Sequence, residues 1–425
     1  MKRVTFADVV VQALSFSSDH PAFDLIIALI NSSWMQRLRE IHQTANTRLV
    51  YMFSEHSRFG HSLGVGYLAD LTMRNLLSKS DISLARQDEV RYYWPMVTIA
   101  ALLHDIGHLA PGSHLAFRAW FPNEDDSHEI LSEKIILDSA GIKHEVPKLT
   151  DEMIEIIVKI LKHDDLLPAW TWECISGGGW NVDRGNWCVA DSVMAGVAYG
   201  KYNIEAIIES LTIDEFGHLA LRENRLDAMM HFAVSRHAMY RQLYQHRVLL
   251  AADALMCAVV DRAKSVERDL RWSDETMDSV LSVSSSSELS LDMIFAMREP
   301  WWRYHLFRWQ SSKDIVLADL AERLLNRRLL KTVRLPSEPK QREDLLETAQ
   351  KISTSLGYDP KYYLHIVKTR SVAERVSKGM LHVIRDDGNT ALLSECDPLF
   401  SALAESVERE WLAMPEDVKY KLTND

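Results

Sequence analysis

At 425 residues the chain is too long for one minimal core, and its 47% hydrophobic content is ample for a buried globular interior. A formal net charge of −12 excludes diffuse, charge-driven binding to a phosphate backbone as the default, although a local basic pocket can exist inside an acidic surface. No run of about 18 apolar residues is present, so no membrane span is expected, and the four cysteines (Cys174, Cys188, Cys257, Cys396) form no CxxC, which reads as the reduced state of a cytoplasmic protein.

In chain order, residues 1–20 read as a strand or loop that ends in the turn Ser17-Ser18-Asp19-His20-Pro21. The early apolar run is broken by Asp8 and Gln12, which is not the pattern of a signal peptide. Residues 22–43 carry Leu25, Ile26, Leu29, Ile30 and Leu38 at helical spacing. Ser57 can cap a helix bearing Arg58 and His61, three apart and so on one face. The apolar run Val97–Leu103 predicts a buried helix with His104-Asp105 at its inner end. A charge buried there needs a counter-ion, and imidazole beside carboxylate suits a divalent cation: Zn, Mn, Fe or Ni, or Mg if oxygen ligands dominate. A His-Asp pair alone is a weak signal, and His163-Asp164 reads as an ordinary exposed helix end.

Residues 130–170 read as two helices joined by a polar loop. The run Ser176-Gly177-Gly178-Gly179 is a connection and no P-loop, because no Gly-Lys-Ser/Thr follows. Asp183, Trp187 and Asp191 recur every four residues and share one helical face. A long helical pattern covers 225–265, with Arg236, Tyr240 and Tyr244 on one stripe. Ser279–Ser290 reads as a loop or link, and 291–330 return to helices. The charged stretch 338–347 reads as a boundary. Beyond it, 362–368 is β-rich, residues 380–393 read as a hairpin around Asp386-Asp387-Gly388-Asn389, and helices are expected over 398–413. The expected fold is mainly α: a helical core over 1–270, a helical extension over 271–337 and a small α+β lobe over 338–425.

Five motifs stand in order: Q-R-L-R at 36–39, H-x-R-F-x-H-S-L-G-V-G at 56–66, A-x-L-H-D-I-G-H at 101–108, N-V-D-R at 181–184 and R-x-x-x-Y-x-x-x-Y-Q-H-R at 236–247. On them the chain resembles the HD-domain phosphohydrolases, within these the deoxynucleoside triphosphate triphosphohydrolases, from about Trp34 to Val333 and more weakly to Leu403. The resemblance implies an HD-domain helical core with a divalent metal ion on His61, His104, Asp105 and Asp183. It places Arg58, Arg184 and Arg236 by the substrate phosphates, Gln43 and Trp187 by the sugar, Asp191 on the 3′-hydroxyl, and Tyr240 and Tyr244 near sugar or base. His108, His114 and His128 are the implied proton carriers. The implied reaction is water attack on the α-phosphorus of a dNTP, giving deoxynucleoside and triphosphate, in a homo-oligomer.

The chain departs from the family pattern at identifiable places. Phe6-Ala7-Asp8 stands where the family reads close to N-D-P-I-H-G, a segment that binds an activating nucleotide. Gln43-Thr44-Ala45 replaces Q-L-G. The spacing from His104 to His114 is one residue longer, and Phe117 stands where an acid is expected. Arg184 replaces Lys and Trp187 replaces Tyr. Two other readings stay open: an HD-type phosphodiesterase or nuclease acting on another nucleotide or on nucleic acid, and a nucleotide-sensing subunit without strong catalysis.

Overall fold

The amino-terminal residues alternate outward and inward, and they close on themselves. Strands β1 (Arg3–Asp8) and β2 (Gln12–Ser17) pair antiparallel, Arg3 opposite Ser17, in a computed structural model that describes residues 2–112, 114–123, 127–369, 381–404 and 408–424. Asp8 Oδ1 closes their turn by accepting from the amides of Val10 and Val11, each at 3.0 Å. The expected helical spacing at 22–43 appears as the helix Phe23–Asn31, a short helix Ser33–Arg37 and a 3₁₀ turn Leu38–Glu40.

Two long helices, Arg58–Ser78 and Leu84–Leu103, pack together at the centre. The second is exposed over much of its first half and enclosed by protein from Met96 onward. Residues 97–103 are 0% exposed, as a helix surrounded by protein requires. Ser57 is the N-cap of the first helix by position, but its hydroxyl makes no capping bond. The mainly helical character holds along the chain as expected. His163-Asp164 follows the helix Asp151–Leu161 as a helix end, with His163 exposed and stacked on Trp172 and Asp164 partly buried.

The single helix expected over 225–265 is instead broken. Leu226–Met239 gives way to a π-helical turn, Tyr240–Tyr244, and the helix Arg247–Ser265 departs at 56°. Such a turn widens the helix and frees its side chains for tertiary contacts, which the residues then make in the pocket described below. Hydrophobic periodicity continues across the break, so the spacing alone does not reveal it.

Other elements also differ from expectation. The Ser-rich stretch is no open link: Asp274 caps the helix Glu275–Ser282, and Ser285 and Glu288 form a capping box around the turn Ser286–Glu288. The charged stretch 338–347 lies in the helix Pro339–Ser355, capped by Glu338. Residues 410–414 are a strand, not helix.

The small sheets tie distant segments together. β3 (Leu211–Ile213), β4 (Leu219–Arg222), β7 (His382–Ile384) and β8 (Thr390–Leu392) form one sheet, with β4 and β7 parallel and Ala220 opposite His382. β7 and β8 are the expected hairpin, although Met380 lies outside the described residues. β5 (Lys331–Arg334) and β6 (His365–Lys368) flank β9 (Glu410–Met414) in a second sheet. Pairing on both sides makes 410–414 a strand despite its helix-tolerant composition. The sheets thus cross the expected boundaries at 270 and 337.

Candidate active site

The His-Asp turn is fixed by a close backbone approach. A Cβ on Gly107 would lie 2.2 Å from the His128 carbonyl oxygen and 2.3 Å from Ser132 N, so only glycine allows the helix His128–Leu137 to seat there. Ser132 Oγ accepts from Gly107 N at 2.9 Å and donates to His104 O at 3.2 Å. This contact brings His128 to the same carboxylate as His104 and His108. Arg37, of the Q-R-L-R motif, is fully buried and donates to the carbonyls of Ile106, Ile294, Phe295 and Met297 at 2.8–3.5 Å. Its role is to hold the turn after His104-Asp105 against the segment before the helix Glu299–Trp309.

His61, His104 and Asp183 meet, with one ligand atom from each within 4.8 Å of the others. His61 Nε2 is 3.1 Å from Asp183 Oδ1, and His104 Nε2 is 3.7 Å from it. Each imidazole has its other nitrogen engaged. His61 Nδ1 is 2.9 Å from Asn186 Oδ1, and His104 Nδ1 is 2.8 Å from Ala101 O. Those acceptors hold a proton on each Nδ1 and turn both Nε2 atoms inward, where a cation would take the place of any proton on them. His104 Nε2 is buried and makes no hydrogen bond. Two imidazole nitrogens and a carboxylate converging on one point, one of them a buried orphan, fit a divalent cation.

Asp105 stands between this set and a second one. Its Oδ2 takes Arg58 Nη1 at 2.5 Å and lies 3.7 Å from His61 Nε2. Its Oδ1 is 3.5 Å from His104 Nε2, 3.3 Å from His108 Nε2 and 3.8 Å from His128 Nε2. The rings of His108 and His128 stack at 3.8 Å. Burial opposes charge on Asp105, but His104, Arg58 and His108 hold its carboxyl well below the usual range. Burial also opposes a proton on His104, yet Asp105 and Asp183 lift its pKa to about 9. Burial, with Arg58 adding to it, pushes His108 well below the ordinary imidazole value, and burial lowers His128. His114 begins the helix His114–Trp120, and its side chain lies outside the described residues. Phe117 is buried and packs edge-on against Phe121 at 5.1 Å, so its position belongs to the core.

Along the helix Val182–Met194, the face that presents Asp183 also presents Trp187 and Asp191. Asn181 caps it by accepting from Arg184 N at 2.8 Å. The Trp187 ring meets Tyr240 at 5.9 Å and Tyr244 at 5.5 Å, both edge-on. Tyr244 donates its hydroxyl to Asp191 Oδ2. Arg236 is buried, lies 5.0 Å over the Tyr240 ring and leaves its Nε without a hydrogen bond. Gln43 receives the Arg58 guanidinium on its backbone oxygen at 3.4 Å, and its own Oε1 is buried without a partner. Arg184 instead bonds the carbonyls of Gly178 and Gly179, turned towards the glycine run.

Three residues escaped the sequence reading. Asn186 orients His61, Ser132 staples the His-Asp turn, and His56 Nε2 holds Asp191 Oδ1 at 2.7 Å. His56 was visible inside the H-x-R-F-x-H motif and Asn186 sits three residues after Asp183. Nothing local marks Ser132.

No protein-family model matches the chain. The chain is similar to the uncharacterized protein YwfO of Bacillus subtilis, 26% identical over 399 residues, spanning 91% of this chain and 86% of that one. It is 26% identical over 262 residues to the deoxynucleoside triphosphate triphosphohydrolase SAMHD1 of Danio rerio, which is 54% of this chain and only 40% of that relative. In fold it matches a crystal structure of a phosphohydrolase from Bacteroides thetaiotaomicron, with a TM-score of 0.80 at 22% identity, over 98% of this chain and 100% of the other. At low identity, the chain is similar to the dNTP-triphosphohydrolase-like branch of the HD-domain proteins.

Proposed function

We infer that this chain, a metal-dependent phosphohydrolase, hydrolyses deoxynucleoside triphosphates to deoxynucleoside and inorganic triphosphate. The observation that carries this reading is the order of groups along one helix. Asp183 joins His61 and His104 at one end, and Asp191 closes an aromatic box of Trp187, Tyr240 and Tyr244 two turns on. Eight helical residues span about 12 Å, the scale of a nucleotide from its phosphates to its sugar.

His61, His104 and Asp183, with Asp105 beside them, would hold a divalent cation, which would supply Lewis-acid polarisation of the phosphoryl group and acidify water. The chain's own groups do the rest. Arg58 and Arg236 offset phosphate charge, and guanidinium suits that task because it can fork onto two oxygens. Water oxygen bonds the α-phosphorus, the bond to the 5′-oxygen breaks, and the proton that the water gives up reaches that oxygen through the histidines beside Asp105, namely His108 and His128, or through His114. Asp191 accepts the sugar hydroxyl, and Trp187 packs the ring. Gln43, with its buried orphan oxygen, lines the sugar wall. A cytoplasmic homo-oligomer belongs to the same reading.

The test is release of inorganic triphosphate from each dNTP with Mg or Mn. His104→Ala and Asp183→Ala should abolish it, and release that survives Asp183→Ala would place the chemistry elsewhere. The altered His108–Phe117 loop and Trp187 leave room for a second reading with another phosphoester as substrate, and the loss of an acid at Phe117 favours a sensing subunit. Cleavage of a nucleic acid or cyclic nucleotide without dNTP turnover selects the second reading. Tight nucleotide binding without any turnover selects a sensing subunit.

A further inference from the structure

Asp191 is a carboxylate only 3% exposed, and among the described residues no arginine or lysine bridges to it. A charge so placed has to be satisfied by hydrogen bonds. Its two donors come from distant segments. His56, just before the helix Arg58–Ser78, reaches Oδ1 with Nε2 at 2.7 Å, and Tyr244, on the π-helical turn, donates to Oδ2. His56 Nδ1 is buried and has no hydrogen-bond partner. The tautomer with its proton on Nε2 therefore serves the carboxylate, and the ring has no competing bond.

A carboxylate offers about four lone-pair directions, and two are taken. Asp191 can accept a further hydrogen, and nothing else about it changes when it does. The space beside it is walled by Trp187, one turn towards Asp183, and by Tyr240 and Tyr244. A ligand anchored by phosphate at the Asp183 end reaches Asp191 with a sugar hydroxyl.

We propose that His56 is the positioning residue through which this pocket selects nucleotides bearing a sugar 3′-hydroxyl. His56 does not touch the substrate. It fixes the Asp191 carboxylate between two donors, so that a remaining lone pair faces the sugar. Without Nε2–H, Asp191 keeps a single donor, on Tyr244, and is free to rotate away. This rests on the functional reading above and adds to it the basis of sugar discrimination.

The test compares wild type, His56→Phe and His56→Gln on each dNTP and its 2′,3′-dideoxy counterpart. Loss of a hydrogen bond to a charged group is worth about tenfold or more in binding. Wild type should prefer the hydroxylated substrate by at least that factor. His56→Phe should raise KM for the dNTP about tenfold at nearly unchanged kcat, leave the dideoxy values in place and so collapse the preference. His56→Gln, which carries an amide donor at similar reach, should restore most of it. Equal losses on both substrates, or a wild type that does not discriminate, would overturn the proposal. Equilibrium binding of the same pairs to the Mn-loaded protein, as analogues with a methylene group in place of the 5′-oxygen, reads the same ratio without turnover. A chain that binds with discrimination but releases no triphosphate therefore overturns the hydrolytic reading and still decides the role of His56.

Discussion

Asn186 Oδ1 lies 2.9 Å from His61 Nδ1, and this contact decides which nitrogen of His61 faces Asp183. Partners of this kind set the tautomer and basicity of a metal-ligating histidine, and losing one lowers metal affinity about 10–100-fold. Asn186→Ala should show that loss in a competitive chelator titration with Mn, with little change in the melting temperature of the metal-free protein. Unchanged Mn affinity would mean that His61 is oriented by packing alone.

Gly64 guards the same contact from the other side. A Cβ there would sit 2.1 Å from Asn186 Nδ2 and 2.9 Å from its Cγ. Asn186 can yield only by leaving His61. Gly64→Ala should therefore weaken Mn binding as Asn186→Ala does, and overpacking should add a stability cost of about 1–3 kcal/mol. The two substitutions combined should cost less affinity than the sum of each alone, because they break one bond.

Arg37 presents a different balance. Burial lowers its pKa to about 9, and four carbonyls accept from it. Arg37→Met keeps the volume but strips the donor from the Ile106 and Ile294 carbonyls, while Phe295 O keeps Arg298 Nε and Met297 O keeps Ala110 N. A loss of about 3 kcal/mol or more is expected in urea unfolding. Arg37→Lys should recover part of it, since a lysine reaches fewer of the four at once.

Asp253 gives stability a pH dependence with a defined sign. Burial raises its carboxyl from 3.8 to about 6, and only the bond from Asn46 Nδ2, at 2.8 Å, opposes the rise. The folded state thus favours the protonated acid. Its contribution is full below the unfolded pKa and is lost as pH rises through about 6. A rise of that size is worth on the order of 2–3 kcal/mol between the two protonation states. Asp253→Asn should be more stable than wild type at pH 7 and lose that advantage at pH 4. Parallel stability curves for the two proteins between those values would refute the assignment.

Much of the candidate site was legible because its chemistry is written in short, local spacing. His104-Asp105 at the end of an apolar run, His61 three residues after Arg58, and Asp183, Trp187 and Asp191 at four-residue steps need only a helix to be placed. The break at Tyr240–Tyr244 was not legible. Its periodicity is that of an unbroken helix, and the π turn is set by the contacts that Tyr240 and Tyr244 make with Trp187 and Asp191. The strand at Glu410–Met414 was missed for a related reason, since only its pairing partners on both sides make it one.

The amino-acid order by itself determined the mainly helical architecture and the types of ligand offered to a cation, because helical spacing and buried charge are local properties of a chain. Tertiary structure alone decided which histidine nitrogen faces inward, that Asp105 is shared between two groups, that Arg184 turns to the glycine run and that His56 holds Asp191. The bonds from Asn186 to His61 and from His56 to Asp191 reach across 125 and 135 residues. Nothing in local sequence encodes where such partners arrive.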